Sequence, residues 1–173
     1  ELRAKVIKTA RKYIGAKEGG QLHKEIIDIF NTVKPDGAKM TYSAPWCAAY
    51  ASGIEIEALG KTKAKKICPL SYNCGTIITK AKKMGIWVEK DSYKPQEADW
   101  ILYDWQDSGK GDNKGGPDHV GIVEKVKESF PVFLDGFCAL LILLIYMQTG
   151  VSTLHPIHRI CMLVYGETCR FIL

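Results

Sequence analysis

The sequence predicts an α+β domain, with helices from its first half packed on a small antiparallel sheet built from its second. Three observations carry that expectation. Apolar residues recur at helical spacing up to about residue 84, short β-branched and aromatic runs follow, and glycines and prolines stand at the junctions. With 173 residues, of which 46% are hydrophobic and 25% charged, the chain can bury one core and is too apolar for wholesale disorder.

Leu2, Val6, Ile7, Ala10 and Ile14 fall on one helical face, and Gly15 is placed to end that helix. A second helix is expected over 23–30. Residues 32–44 read as a loop with the turn signal Pro35-Asp36-Gly37. Pro45 opens a third helix, 45–59, closed by Gly60. Proline at a first helical position loses nothing, because that N–H lacks a partner anyway. The run Lys61 to Lys66 reads as a solvated helix end rather than a binding patch. A fourth helix over 76–84 stops at Gly85, and strands follow at 100–103, 119–126 and 130–134. Residues 107–116, between the first two strands, are too rich in glycine and polar side chains to be other than loop.

A net charge of +5 and a pI near 8.8 favour loose association with polyanions. No basic cluster is interleaved with stacking aromatics, so nucleic acid is not an expected partner. Six cysteines are too few for a disulfide-built scaffold, and no CxxC pair suggests zinc or redox work. Cys68 and Cys74 read as unpaired thiols, with a bridge across a turn as the alternative. The first residue is Glu1 rather than Met, as in a fragment or processed product, and no signal peptide precedes the first expected helix.

Composition breaks near residue 128. The 24 basic residues are four Arg and twenty Lys, and every Lys lies at or before Lys127. Residues 129–173 carry only Asp135, Arg159, Glu167 and Arg170 as charges, yet hold three of the six Cys and two of the four His. The domain is therefore expected to span 1–136, with 137–173 an atypical apolar tail, foreign to the rest or loosely packed outside it. Its apolar run 137–147 is shorter than the ~20 residues of a membrane-spanning helix, so a buried helix or strand is the plainer reading and membrane is not an expected partner.

The chemistry is expected at Cys47 and His119. A thiolate is the effective sulfur nucleophile, and a free thiol near pKa ~8.5 supplies little of it at neutral pH. A helix N-terminus and a neighbouring imidazolium both favour the thiolate. Cys47 follows Pro45 and Trp46 at a helix start, where unpaired N–H groups could also hold an oxyanion. His119 opens a strand. A cysteine on a helix start facing a histidine on a sheet is the papain-like arrangement, in which a third residue orients the imidazole. Either residue alone is more often simple packing.

The flanking residues narrow the choice. Ala44-Pro45-Trp46-Cys47-Ala48-Ala49-Tyr50 resembles the nucleophile segment of CHAP-type endolysins and autolysins, members of the NlpC/P60 superfamily. Asp99-Trp100-Ile101-Leu102-Tyr103-Asp104-Trp105 looks like the family's strand in which Gly-Asp precedes an apolar run, with Ala98 in place of the glycine. Pro117-Asp118-His119-Val120-Gly121-Ile122-Val123-Glu124 is similar to its histidine strand. Gly19-Gly20, Leu22-His23-Lys24, Ile26-Ile27-Asp28 and Asn31 resemble the leading segment of clostridial-type phage endolysins. The resemblance covers residues 2–128 in order and spacing. The family's third catalytic residue is a Glu at the end of the next strand. Here Asp135, in Leu134-Asp135-Gly136-Phe137, occupies that place with a shorter carboxylate.

The resemblance implies a hydrolase, an amidase or endopeptidase, that cleaves an amide of bacterial peptidoglycan through a cysteine acyl-enzyme. Cys47, His119 and Asp135 would be catalytic, and Trp46, Trp105 and Asp118 would contact substrate. Within the enzyme class an NlpC/P60-type stem-peptide cutter is the second choice, and a catalytically inactive wall-binding module of the same fold is the alternative from another class. The expected protein is a monomer without cofactor or metal, working outside the cell or at the wall, or phage-encoded and released at lysis. Asp104, Asp107, Asp112 and Asn113 do not match a calcium loop and read as a solvated turn. His155 and His158, with Cys161 and Cys169, suggest metal only superficially. His23 has no partner at ligand spacing and is expected to be exposed.

Overall fold

The computed structural model describes residues 1–89, 93–103, 116–126, 131–134 and 160–163. Five helices come first: α1 Leu2–Arg11, α2 Gln21–Asn31, α3 Cys47–Leu59, α4 Lys61–Ile67 and α5 Cys74–Met84. The strands are β1 Trp87–Val88, β2 Trp100–Tyr103, β3 His119–Val126, β4 Pro131–Leu134 and β5 Ile160–Leu163, joined in the order β1-β5-β2-β3-β4. Every described pairing is antiparallel. This is the expected α+β class, helices on an antiparallel sheet.

α3 lies at the centre. Every residue from Ala48 through Ile56 is buried, and the helix packs against α1, α2, α4 and β3. Small residues (Ala48, Ala49, Ala51, Ser52 and Gly53) leave room for neighbours on all sides. Gly53 marks the tightest approach: a Cβ there would sit 2.8 Å from Ile26 Cδ1 and 3.0 Å from the Ile26 carbonyl oxygen on α2.

Alternation along β2 divides the core. Trp100 and Leu102 join Val120 and Ile122 of β3 against the helices, while Ile101 and Tyr103 form a smaller cluster with Val123 and Tyr93. Two buried carboxylates tie the layers together. Glu55 on α3 accepts a 3.1 Å bond from the Trp100 indole. Asp99 accepts from Arg3 at 2.6 Å, the Tyr93 hydroxyl at 2.8 Å and the Gln96 N–H at 2.7 Å, which anchors α1 to the start of β2. Ala98, where the family pattern has glycine, takes φ +68°, a left-handed conformation that costs a residue with a Cβ about 1–2 kcal/mol.

Several expectations change. α1 ends at Arg11, so Ile14 lies beyond the helical face and is 54% exposed. His23 is not exposed but fully buried, because it shares a stripe with Ile26, Ile27 and Phe30 at helical spacing. Burial favours its neutral form and lowers its pKa. α3 begins at Cys47, with Trp46 as its N-cap residue and Pro45 outside the helix. The lysine run is a helix of its own, set apart by Gly60 at φ +81°. α5 starts two residues earlier than expected, at Cys74, where the Asn73 side chain caps it. Its end at Gly85, left-handed at φ +71°, is as expected.

β2 and β3 have the expected bounds, and β4, one residue shorter than expected, pairs with β3 with a bulge between Val123 and Lys125. β1 and β5 were not expected. Residues 160–163 of the tail, placed outside the sheet by the sequence reading, instead pair with β1 on one side and β2 on the other. That pairing satisfies an edge of β2 that would otherwise present unpaired backbone groups. The rest of the tail, Asp135 and residues 104–115 lie outside the described residues.

Gly53→Ala tests the α2–α3 approach. Overpacking against a fully buried Ile26 should cost ~1–3 kcal/mol, partly offset by the ~1 kcal/mol that alanine gains over glycine within a helix. Urea unfolding should show a lower midpoint at unchanged slope. A midpoint equal to or above the parent's would mean the two helices do not meet this closely.

Candidate active site

Cys47 is the first residue of α3, and the first intrahelical bond is the 2.7 Å contact from the Tyr50 N–H to the Trp46 carbonyl. The N–H groups of Cys47, Ala48 and Ala49 therefore precede the helical ladder, and the positive end of the helix dipole falls on the thiol. Trp46 is held edge-on against His23, with ring centroids 4.6 Å apart, and against Tyr50 at 5.8 Å. These aromatic contacts lock the residue before the thiol, and the sulfur itself stays half-buried.

Three groups converge on that sulfur. The Cys74 thiol lies 3.9 Å away at the start of α5. The His119 imidazole, on the first residue of β3, and the N–H of Val120, the next along the strand, lie close enough to the sulfur to favour its ionised form. The hydrogen bond from Cys74 is the largest influence lowering the Cys47 pKa. Burial opposes it, and the nearby His119 imidazole and Val120 N–H lower it further, so that the Cys47 pKa falls well below the ordinary thiol value. The reciprocal effect, together with burial and the nearby charge of Asp118, pushes the Cys74 thiol well up. Of the two sulfurs, Cys47 is the one favoured as the thiolate.

The position of Cys74 is built from α3. Ser52 of α3 accepts from the Ser71 N–H at 3.0 Å and donates to the Ser71 carbonyl at 2.8 Å. The Ser71 hydroxyl accepts from the Asn73 N–H and donates to Asp36, which also takes the Tyr72 N–H and Lys80. Asn73 then caps α5 through the Thr76 N–H at 2.9 Å. The segment carrying Cys74 is thereby pinned to the helix carrying Cys47.

On the sheet side, Tyr103 pairs with His119 in register, its ring centroid is 6.0 Å from the imidazole, and its carbonyl accepts the Asp118 N–H at 2.8 Å. The structure thus brings Cys47 and His119 together and places Asp118 beside them, exposed at the rim. Trp46 is only 5% exposed and contributes a wall of the core, not a groove face. Trp105 and Asp135 lie outside the described residues, as do the Asp104 to Asn113 cluster and the two tail histidines. Among the described residues no group of three His, Cys, Asp or Glu side chains is placed to hold a metal ion.

Sequence reasoning missed Cys74. Cys68 and Cys74 are both free, and Cys74 faces Cys47 instead. The available signal was Asn73-Cys74-Gly75, a cap residue followed by a cysteine at a helix start, the same context as Cys47. Cys68 is buried, and burial first, then the charge of Glu55, holds its thiol well above the ordinary value.

This difference among the thiols can be measured. At neutral pH a free thiol is only a few per cent ionised, so limiting iodoacetamide should label Cys47 ~tenfold or more faster than Cys68 or Cys74. Peptide mapping reads the sites. His119→Ala should narrow the preference, and equal labelling of Cys68 in the parent protein would show that Cys47 is not activated.

A family model described as the CHAP domain matches residues 38–133, more than half of the chain, and includes both Cys47 and His119. No curated protein and no solved structure gives a match. Among the described residues no helix is long and apolar enough to cross a membrane. With a helix-start cysteine set against a strand-start histidine inside the matched segment, the chain belongs to the CHAP domain family.

Proposed function

We propose that the protein hydrolyses an amide bond of bacterial peptidoglycan through an acyl-enzyme on Cys47. The observation that carries this reading is the proximity of the His119 imidazole to a half-buried cysteine at the start of α3. The Cys47 thiolate attacks the carbonyl carbon, and the N–H groups at the start of α3 stabilise the oxyanion. His119 gives a proton to the departing amine, then takes one from the water that releases the acyl group.

Asp135 is the proposed orienter of His119. It follows Leu134, whose partner Ile122 sits on the same strand as His119. Asp118 and Trp105 are proposed to contact the substrate, Asp118 from the exposed rim. Peptidoglycan places the work outside the cell or at the wall, where a net charge of +5 suits a surface rich in teichoic acid.

Turbidity clearing of purified walls, followed by mass spectrometry of the fragments, tests the reading. The parent protein should release fragments with one new amine and one new carboxylate per cut. Cys47→Ala should lose at least ~10⁴-fold in rate with its circular dichroism unchanged, since removing a covalent nucleophile leaves only residual catalysis. Clearing by Cys47→Ala at the parent's rate would exclude the mechanism.

A further inference from the structure

We propose that Cys47 and Cys74 form a redox modification site: a small-molecule disulfide joins them into an internal disulfide that silences the nucleophile, and a thiol reductant reopens it. The inference rests on the reading of Cys47 as the nucleophile. Its own support is geometric. The two sulfurs are 3.9 Å apart with both thiols free, and each belongs to the first residue of its helix. The Ser52–Ser71–Asn73 chain of hydrogen bonds holds these helix starts at a fixed separation. Bonded sulfurs lie ~2 Å apart, so the pair must close by roughly 2 Å, a movement that side-chain rotation can supply.

The two cysteines also differ in the way such a pair requires. Cys47 is half-buried and can meet a reagent, while Cys74 is buried directly behind it. In the first step the Cys47 thiolate attacks one sulfur of the small disulfide, forming a mixed disulfide and expelling a thiolate. The charge that held the proton on Cys74 is then gone, because the hydrogen bond to Cys47 was its main cause. Cys74 passes its proton to the expelled thiolate, and its sulfur attacks the Cys47 sulfur, expelling the second small thiolate. Two protein sulfurs are oxidised, and the two sulfurs of the reagent are reduced to one thiol and one thiolate. Cys68 lies elsewhere, beside Glu55, and takes no part.

The test treats the reduced protein with oxidised glutathione, removes the reagent, and maps peptides without reduction while following wall clearing. A Cys47–Cys74 linked peptide, with clearing lost and then restored by dithiothreitol, is the expected result. Cys74→Ser should instead stop at a glutathione adduct on Cys47. If the parent protein carries only that adduct, or links Cys47 elsewhere, the proposal is overturned, whether or not the variant folds. The peptide map is independent of activity. A reduced protein that never clears walls would therefore sink the hydrolase reading while the map still decides the disulfide, and a linked peptide with clearing intact would overturn the switch.

Discussion

The bond from the Trp100 indole to the Glu55 carboxylate joins the central helix to the sheet, and the rest of the site depends on that junction. Both partners are buried, so the contact is made where water cannot replace it, and leaving either group unpaired there would cost ~1–3 kcal/mol. It holds α3 beside β2, and β2 holds β3 in register from Trp100↔Ile122 to Tyr103↔His119. The N-terminus of α3 and the start of β3 consequently meet at one end of the sheet. Cys47 and His119 are neighbours because two elements far apart in sequence are braced at a third point.

A second brace fixes what lies behind the thiol. Ser52, one turn beyond Cys47, satisfies both the N–H and the carbonyl of Ser71. Asp36 gathers Ser71, Tyr72 and Lys80, and its own pKa is lowered by those donors against the opposing effect of burial. This polar network is local, and its product is an unusual neighbour: a second free thiol 3.9 Å from the first. In most settings a buried cysteine is inert packing. Here it shares a hydrogen bond with the Cys47 sulfur and lies within closing distance of it.

How much of this the sequence disclosed depends on the range of the interaction. β2 and β3 were legible because Trp100–Tyr103 and His119–Val126 concentrate β-branched and aromatic residues, and α5 announced its end with Gly85. That Cys47 and His119 would lie close together was legible through the residues around them. His23 was misjudged from the lack of a ligand partner, although its spacing to Ile26, Ile27 and Phe30 already placed it on the buried stripe. The start of α3 was set two residues early because Pro45 favours a helix start without requiring one. β5 could not be read at all. Its partners β1 and β2 lie far upstream, and four apolar residues carry no sign of where they pair. Cys74 was hidden for the same reason, since its meaning comes from an element it does not belong to.

Cys74, the His119 imidazole and the Val120 N–H together favour the Cys47 thiolate before any substrate arrives. The most direct measurement is the ultraviolet absorbance of its thiolate across pH, taken as the difference between the parent protein and Cys47→Ala. The difference should be already complete at neutral pH and fade only in acid, as Cys47 is protonated well below the ordinary thiol value. A difference absent at neutral pH that grows in near the ordinary thiol value of ~8.5 would contradict it.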